Sequence, residues 1–287
     1  MTIKVRFFGD FGDINSKVFE LMYNRSDKDI EFVNDNSYTH VVIINKAMPN
    51  ISHIPIENVI GVAAEPNEFL GLNDTFIEYA KNNISRYFIG SKNDLPAPFE
   101  EHYLFPSHNW ANTKFLSYEE KPKLMSLMIS QKAFLPGHVY RYALAEKIIT
   151  QDIPVDILGR GADILKHYYP DSKHIKSAFQ LDSELYKDYK YSIVIENTTS
   201  NTYSSEKLNN AYVYNTIPIY IGANQVEEMI GKNCCIKLSG DLNQDVELIK
   251  NIALNPDKYK INLESFRKNL YEGDCCWFTL MKKLWLS

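Results

Sequence analysis

The chain lacks several things whose absence narrows its function. It has only four cysteines, in two adjacent pairs, Cys234-Cys235 and Cys275-Cys276. Neither pair has the C-x-x-C spacing of a zinc site, so a structural zinc module is not expected. Buried thiols in a reducing compartment are the expectation, because free cysteine packs as a small apolar residue. There is no dense basic run, and the formal net charge is −5. Duplex nucleic acid is therefore a poor partner, since neutralising phosphates needs clustered Lys and Arg. No apolar run reaches the ~18 residues that span a bilayer. The opening segment, MTIKVRFFGDFGD, reads as a strand meeting glycine and acidic residues rather than as a signal peptide. A soluble, cytoplasmic protein is expected. No G-x-G-x-x-G follows the first strand, which disfavours a dinucleotide fingerprint.

What the chain does have is alternation. Of 287 residues, 45% are hydrophobic and 23% charged, a globular composition. Up to about residue 115 strands and helices alternate. IKVRFF, IEFVND, THVVIIN, NVIGV and RYFIG read as strands. NSKVFELMYNR reads as a helix capped by Asn15 or Ser16, and NDTFIEYAKNNI as one capped by Asn73 or Asp74. SYEEKPKL, charged and aperiodic, reads as an interdomain linker. A second alternating set follows: strands in KLMSLMIS, PVDILGRG, YSIVIEN and IPIYIG, with helices in HVYRYALAEKIIT, SELYKDY, SSEKLNNAYVYN and two late segments. The expected fold class is α/β with parallel sheets. The expected domains are 1–118, 123–270, and a C-terminal segment, 271–287, that packs back on them. Its aromatics and lysines also suit peripheral membrane contact.

The richest segment is YSIVIENTTSNTYSSEKLNNAYVYNTIPIYIG, from Tyr191 to Gly222. Ligands of open parallel sheets lie beyond the carboxyl ends of the strands. Glu196 and Asn197 end one strand there, and Glu206 and Lys207 open the next helix. A helix N-terminus favours anions, and a lysine in its first turn adds a full charge. Arg141 occupies the first turns of another helix that follows a strand, and its planar fork suits phosphate. Together the two cations suggest a diphosphate clamp.

This segment resembles the donor-binding motif of the α-1,3/1,4-fucosyltransferases, glycosyltransferase family 10, in the style of bacterial members. Glu196-Asn197-Thr198, Tyr203, Glu206-Lys207 and Pro218 to Gly222 stand at matching spacing, with Ile195 in place of a usual phenylalanine and Ser205 in place of threonine. VDILGRG, which carries Arg160, and AAEPNEF, which carries Glu65 and Glu68, resemble the family more weakly.

The resemblance implies a GT-B-like fold, two Rossmann-like domains facing each other across a cleft. It implies inverting transfer of fucose from GDP-fucose to a glycan hydroxyl. Arg141 and Lys207 would hold the diphosphate and Glu206 the ribose. Glu196, Asn197 and Tyr203 would shape the pocket, and Glu65 would act as general base. His138, close to Arg141, is a further candidate for the phosphates, and Arg160 and Glu68 are secondary candidates. His102 and His108 are alternative bases, and Asp10 and Asp13 candidates for the acceptor side. The expectation of no metal-chelated donor rests on reading no Asp-x-Asp motif in the chain, which overlooks Asp27-Lys28-Asp29. No metal site and no cofactor beyond the donor substrate are expected. The rival readings are another nucleotide sugar as donor, and a non-catalytic sugar-nucleotide or glycan-binding protein.

Overall fold

In the computed structural model, residues 2–12, 14–102, 110 and 115–286 are described. Contacts divide the chain into two compact units. The first comprises Met1–Asn112, Ser200–Glu206 and Lys268–Ser287, and the second Thr113–Thr199 and Lys207–Arg267.

The first unit is built on six strands: β1 (Ile3–Gly9), β2 (Ile30–Phe32), β3 (His40–Ile44), β4 (Val59–Val62), β5 (Arg86–Ile89) and β6 (Phe99–Glu101). They lie in the order β2-β1-β3-β4-β5-β6, all pairs parallel. The strands are apolar on successive residues because both faces are covered. Val42, Ile44, Ile60, Val62 and Phe88 join one core, and Val41, Ile43, Val59, Tyr87 and Ile89 the other. The helices of this unit are α1 (Val18–Tyr23), the single turn α2 (Asn67–Leu70) and α3 (Asp74–Asn83). Asn73 caps α3 by accepting from the Phe76 N–H at 2.9 Å. The α1 cap differs from expectation. The residue at the cap position is Lys17, and Ser16 is instead buried, its hydroxyl accepting from the Phe7 N–H at 3.0 Å. Strand β6 was hidden in the sequence by Pro96 and Pro98, which mask the short run after them.

The second unit carries β7 (Lys123–Met128), α4 (Pro136–Thr150), β8 (Asp156–Leu158), α5 (Ala162–Tyr168), β9 (Tyr189–Ser200), α6 (Glu206–Val213), β10 (Ile217–Ala223), α7 (Val226–Ile230), β11 (Ile236–Lys237) and α8 (Leu242–Leu254). The boundary with the first unit falls after the first residue of α6 and midway along α9 (Glu264–Glu272). The strand order is β11-β10-β9-β7-β8. The order reverses between β7 and β9, which places a topological switch point at their carboxyl ends. The segment SELYKDY is not an α-helix but a 3-10 turn, Asp182–Leu185.

The last helix, α10 (Trp277–Trp285), puts Trp277, Phe278, Leu280 and Met281 into the core shared with β1 and α1. Trp277 meets Phe7 edge-on at 5.8 Å, and its N–H donates to the Tyr23 hydroxyl at 2.9 Å. None of the four thiols forms a disulfide, and Cys275 is the one not fully buried.

The charged stretch read as a linker is anchored rather than solvated. Lys121 is 2% exposed, and its ammonium donates to Tyr186 O (3.0 Å), Lys187 O (2.9 Å) and Thr216 Oγ1 (3.0 Å). The division between units falls upstream of it, at Asn112/Thr113. Burial pushes the Lys121 pKa down to about 7. Between that value and the ~10.4 of an unfolded lysine, the unfolded chain holds the extra proton, so stability rises with pH. Wild type is expected to gain about 1 kcal/mol per pH unit over a Lys121→Met variant between pH 7 and 10. Urea melts of both proteins across that range test it, and parallel curves would refute it.

Candidate active site

The switch point of the second sheet gathers the expected cations. The loop after β7 leads into α4, whose first turn lies directly on the end of β9. A Cβ on Gly137 would sit 1.8 Å from Glu196 O, so only glycine permits this approach. The contact brings Arg141, one turn along α4, under β9. Arg141 is 2% exposed. Its Nε donates to Ile195 O at 3.0 Å, and its Nη2 donates to Ile195 O and to Asn197 Oδ1, the latter at 3.0 Å. The strand end therefore fixes the guanidinium plane.

His138 lies one turn before Arg141 and is buried. Its Nδ1 accepts from the Leu135 N–H at 3.3 Å, which puts the ring proton on Nε2. Its pKa is held below the usual imidazole value, first by burial and then by the charges of Arg141, Lys132 and Lys207; a hydrogen bond with the Asn197 side chain opposes the shift. Three cations from two strand-to-helix junctions thus share one neighbourhood with a neutral imidazole. Such a set concentrates positive charge in one neighbourhood, which suits a polyanion. Lys132 was missed in the sequence. Its signal was its place in the loop SQKAFLPGH, between a strand end and a helix start at the edge where ligands bind.

Glu196 is buried, and its Cγ would lie 2.3 Å from a Cβ on Gly222, so the carboxylate side chain occupies the space left by that glycine. Tyr203 and Glu206 belong to the first unit, with the rest of the 200–206 segment. Tyr203 is buried over Gly90, where an added Cβ would be 2.3 Å from the Tyr203 Cβ. Thr202 donates to Gly90 O through both its N–H (2.9 Å) and its hydroxyl (3.0 Å). Glu206 is half-buried at the start of α6. Arg160, after β8, and Glu68, on α2, are exposed.

In the first unit, Glu65 follows the carboxyl end of β4 and is half-buried. His102 follows β6, and its pKa is lowered by burial and then by Arg86. Asp10 accepts from Asn45 Nδ2 at 3.2 Å. Asp13 and His108 lie outside the described residues. Among the described residues no group of three His, Cys, Asp or Glu is placed to hold a metal. The chain's one Asp-x-Asp triplet, Asp27-Lys28-Asp29, is far in sequence from the donor segment, and both carboxylates pair with Lys282, at 2.7 and 3.1 Å.

Two parallel α/β sheets of this kind are the architecture of the GT-B fold. Over 99% of this chain and 98% of the other, the fold is similar to Anabaena HepE in complex with UDP and glucose, at 9% identity and a TM-score of 0.58. Over 99% of this chain and 89% of the other it is similar to an α1,3-fucosyltransferase with GDP-fucose, at 13% identity and a TM-score of 0.53. At such identities the likeness is one of fold. The family is set by sequence: the model described as glycosyltransferase family 10 (fucosyltransferase) C-term matches residues 118–265, just over half of the chain, and the protein belongs to that family. A protein of Acanthamoeba polyphaga mimivirus that carries a fucosyltransferase name is 30% identical over 148 residues, 49% of this chain and 23% of the relative. The chain thus spans about a quarter of that relative's length. No helix among the described residues is long and apolar enough to cross a membrane.

Proposed function

We propose that the protein transfers fucose from GDP-fucose to a hydroxyl of a glycan acceptor, with inversion at the anomeric carbon and without a metal. The observation that carries this reading is the gathering of Arg141, Lys207 and Lys132 around neutral His138 at the β7/β9 switch point of a family 10 chain. Transfer passes through a transition state with oxocarbenium character, as in glycoside hydrolysis. Negative charge grows on the departing diphosphate, and fixed cations stabilise it there without reorganising. Arg141, already oriented by Ile195 O, and Lys207 take that role. Glu206 holds the ribose. Glu196, Asn197 and Tyr203 shape the walls. Glu65 removes the acceptor proton as general base.

The cation cluster reads a diphosphate more firmly than a sugar ring, so donor identity is the point to test. The protein is incubated with GDP-fucose, other GDP-sugars and UDP-sugars plus a glycan panel, in EDTA, with products followed by mass spectrometry and binding by calorimetry. GDP-fucose is expected to bind best and to be consumed. Preferential binding of a UDP-sugar would replace the donor. Binding without turnover on any acceptor would favour a sugar-nucleotide binding protein, and loss of activity in EDTA would overturn metal independence.

A further inference from the structure

The carboxyl edge of the first sheet holds a polar node that the donor site does not use. Asn45 follows β3, is 6% exposed, and sits at φ +56 in the left-handed region. All its polar groups are engaged. Its N–H donates to Val62 O at 2.9 Å, and its carbonyl accepts from the Tyr87 hydroxyl at 2.8 Å. Its side-chain Oδ1 accepts from the Ala64 N–H at 2.9 Å, and Nδ2 donates to Asp10 Oδ1 at 3.2 Å. One residue therefore ties the ends of β1 and β4, and a side chain of β5, to the end of β3. It stands where the strand order reverses, between β1 and β3.

The node acts on Glu65 from one side, and Pro66 acts from the other. Ala64 directly precedes Glu65, and its N–H is pinned by the Asn45 carboxamide. Pro66 restricts Glu65 to extended backbone, and α2 begins at once, with the Leu70 N–H donating to Pro66 O at 3.0 Å. Glycine at position 45 would satisfy the left-handed backbone but not the bridge. Aspartate would still accept from Ala64, yet would set a second carboxylate against Asp10. The carboxamide meets an N–H on one side and a carboxylate on the other.

We infer that Asn45 is a positioning residue for Glu65: its carboxamide, braced on Asp10, fixes the backbone from which that carboxylate reaches the acceptor hydroxyl. The inference rests on the proposed role of Glu65 as base. The test is a double-mutant cycle on the full chain with GDP-fucose and an acceptor found in the panel above. Asn45→Gly is expected to lower kcat about 10- to 100-fold, with donor KM unchanged. In a Glu65→Ala background it should add nothing, because the group it orients is gone. Loss in Glu65→Ala with an undiminished further loss on adding Asn45→Gly would overturn the positioning role alone. Full activity in Glu65→Ala would overturn the base assignment beneath it. A charge swap guards against simple misfolding. Asn45→Asp should lose activity, and adding Asp10→Asn should restore it by reversing the amide–carboxylate pair. Failure of that rescue also counts against the inference.

Discussion

Lys207→Ala is expected to cut kcat for fucosyl transfer by about 10²- to 10³-fold, the scale seen when one fixed donor to a developing anion is removed. Lys207 is half-buried in the first turn of α6. Arg141 is the contrasting case. Its guanidinium also satisfies Ile195 O and Asn197 Oδ1 inside the protein. Arg141→Ala should therefore lose comparable activity and, in addition, about 1–3 kcal/mol of stability from the stranded carbonyl. An activity-independent readout accompanies both. Each cation lowers the His138 pKa, so removing either should raise it, as followed by NMR titration without substrate. Full transfer activity in Lys207→Ala, or an unmoved His138, would show that the cluster does not converge on the donor phosphates.

Much of the candidate site could be nominated because its residues are local in sequence. Glu196, Asn197, Glu206 and Lys207 fall within one strand-loop-helix segment, and the rule that ligands sit beyond strand carboxyl ends placed them. The runs HVVII, VIGV and RYFI could be read as buried strands because a parallel sheet covered on both faces needs no alternation. The failures share a cause as well. Lys121 looked like part of a charged interdomain linker, since its three acceptors come from residues 65 to 95 positions away. Asn45 drew no notice at the end of the run THVVIIN, since its partners Asp10 and Ala64 lie 35 and 19 positions off. Ser16 looked like a helix cap until the β1 backbone claimed its hydroxyl. A buried polar residue is identified by what it pairs with, and the pairing is tertiary. The same holds for SELYKDY, whose Leu185 carbonyl is taken by the Ser126 hydroxyl at 2.6 Å while the chain makes only a 3-10 turn.

Gly137→Ala is the substitution expected to damage stability most. Alanine normally improves a helix by ~1 kcal/mol over glycine, so propensity alone predicts a gain. Packing predicts the reverse, and the magnitudes decide. A Cβ at position 137 would lie 1.8 Å from Glu196 O and 2.9 Å from Asn197 O, and both obstacles are backbone of a buried strand. Neither can rotate away, so the first turn of α4 must lift from β9. That turn carries His138 and, one turn on, Arg141, while the far side of α4 is held by the Tyr140 hydroxyl donating to Asp245. The cost should reach about 4 kcal/mol, the exceptional end of single-site effects. For a chain of this size that is a fall in Tm of roughly 10 °C. Gly71→Ala is the control. Its φ of +55 disfavours a side chain, but nothing lies within 4 Å of the added carbon. It should cost only about 1–2 kcal/mol, the backbone term alone. If calorimetry finds Gly137→Ala no worse than Gly71→Ala, the close approach of α4 to β9, and with it the placement of Arg141, is wrong.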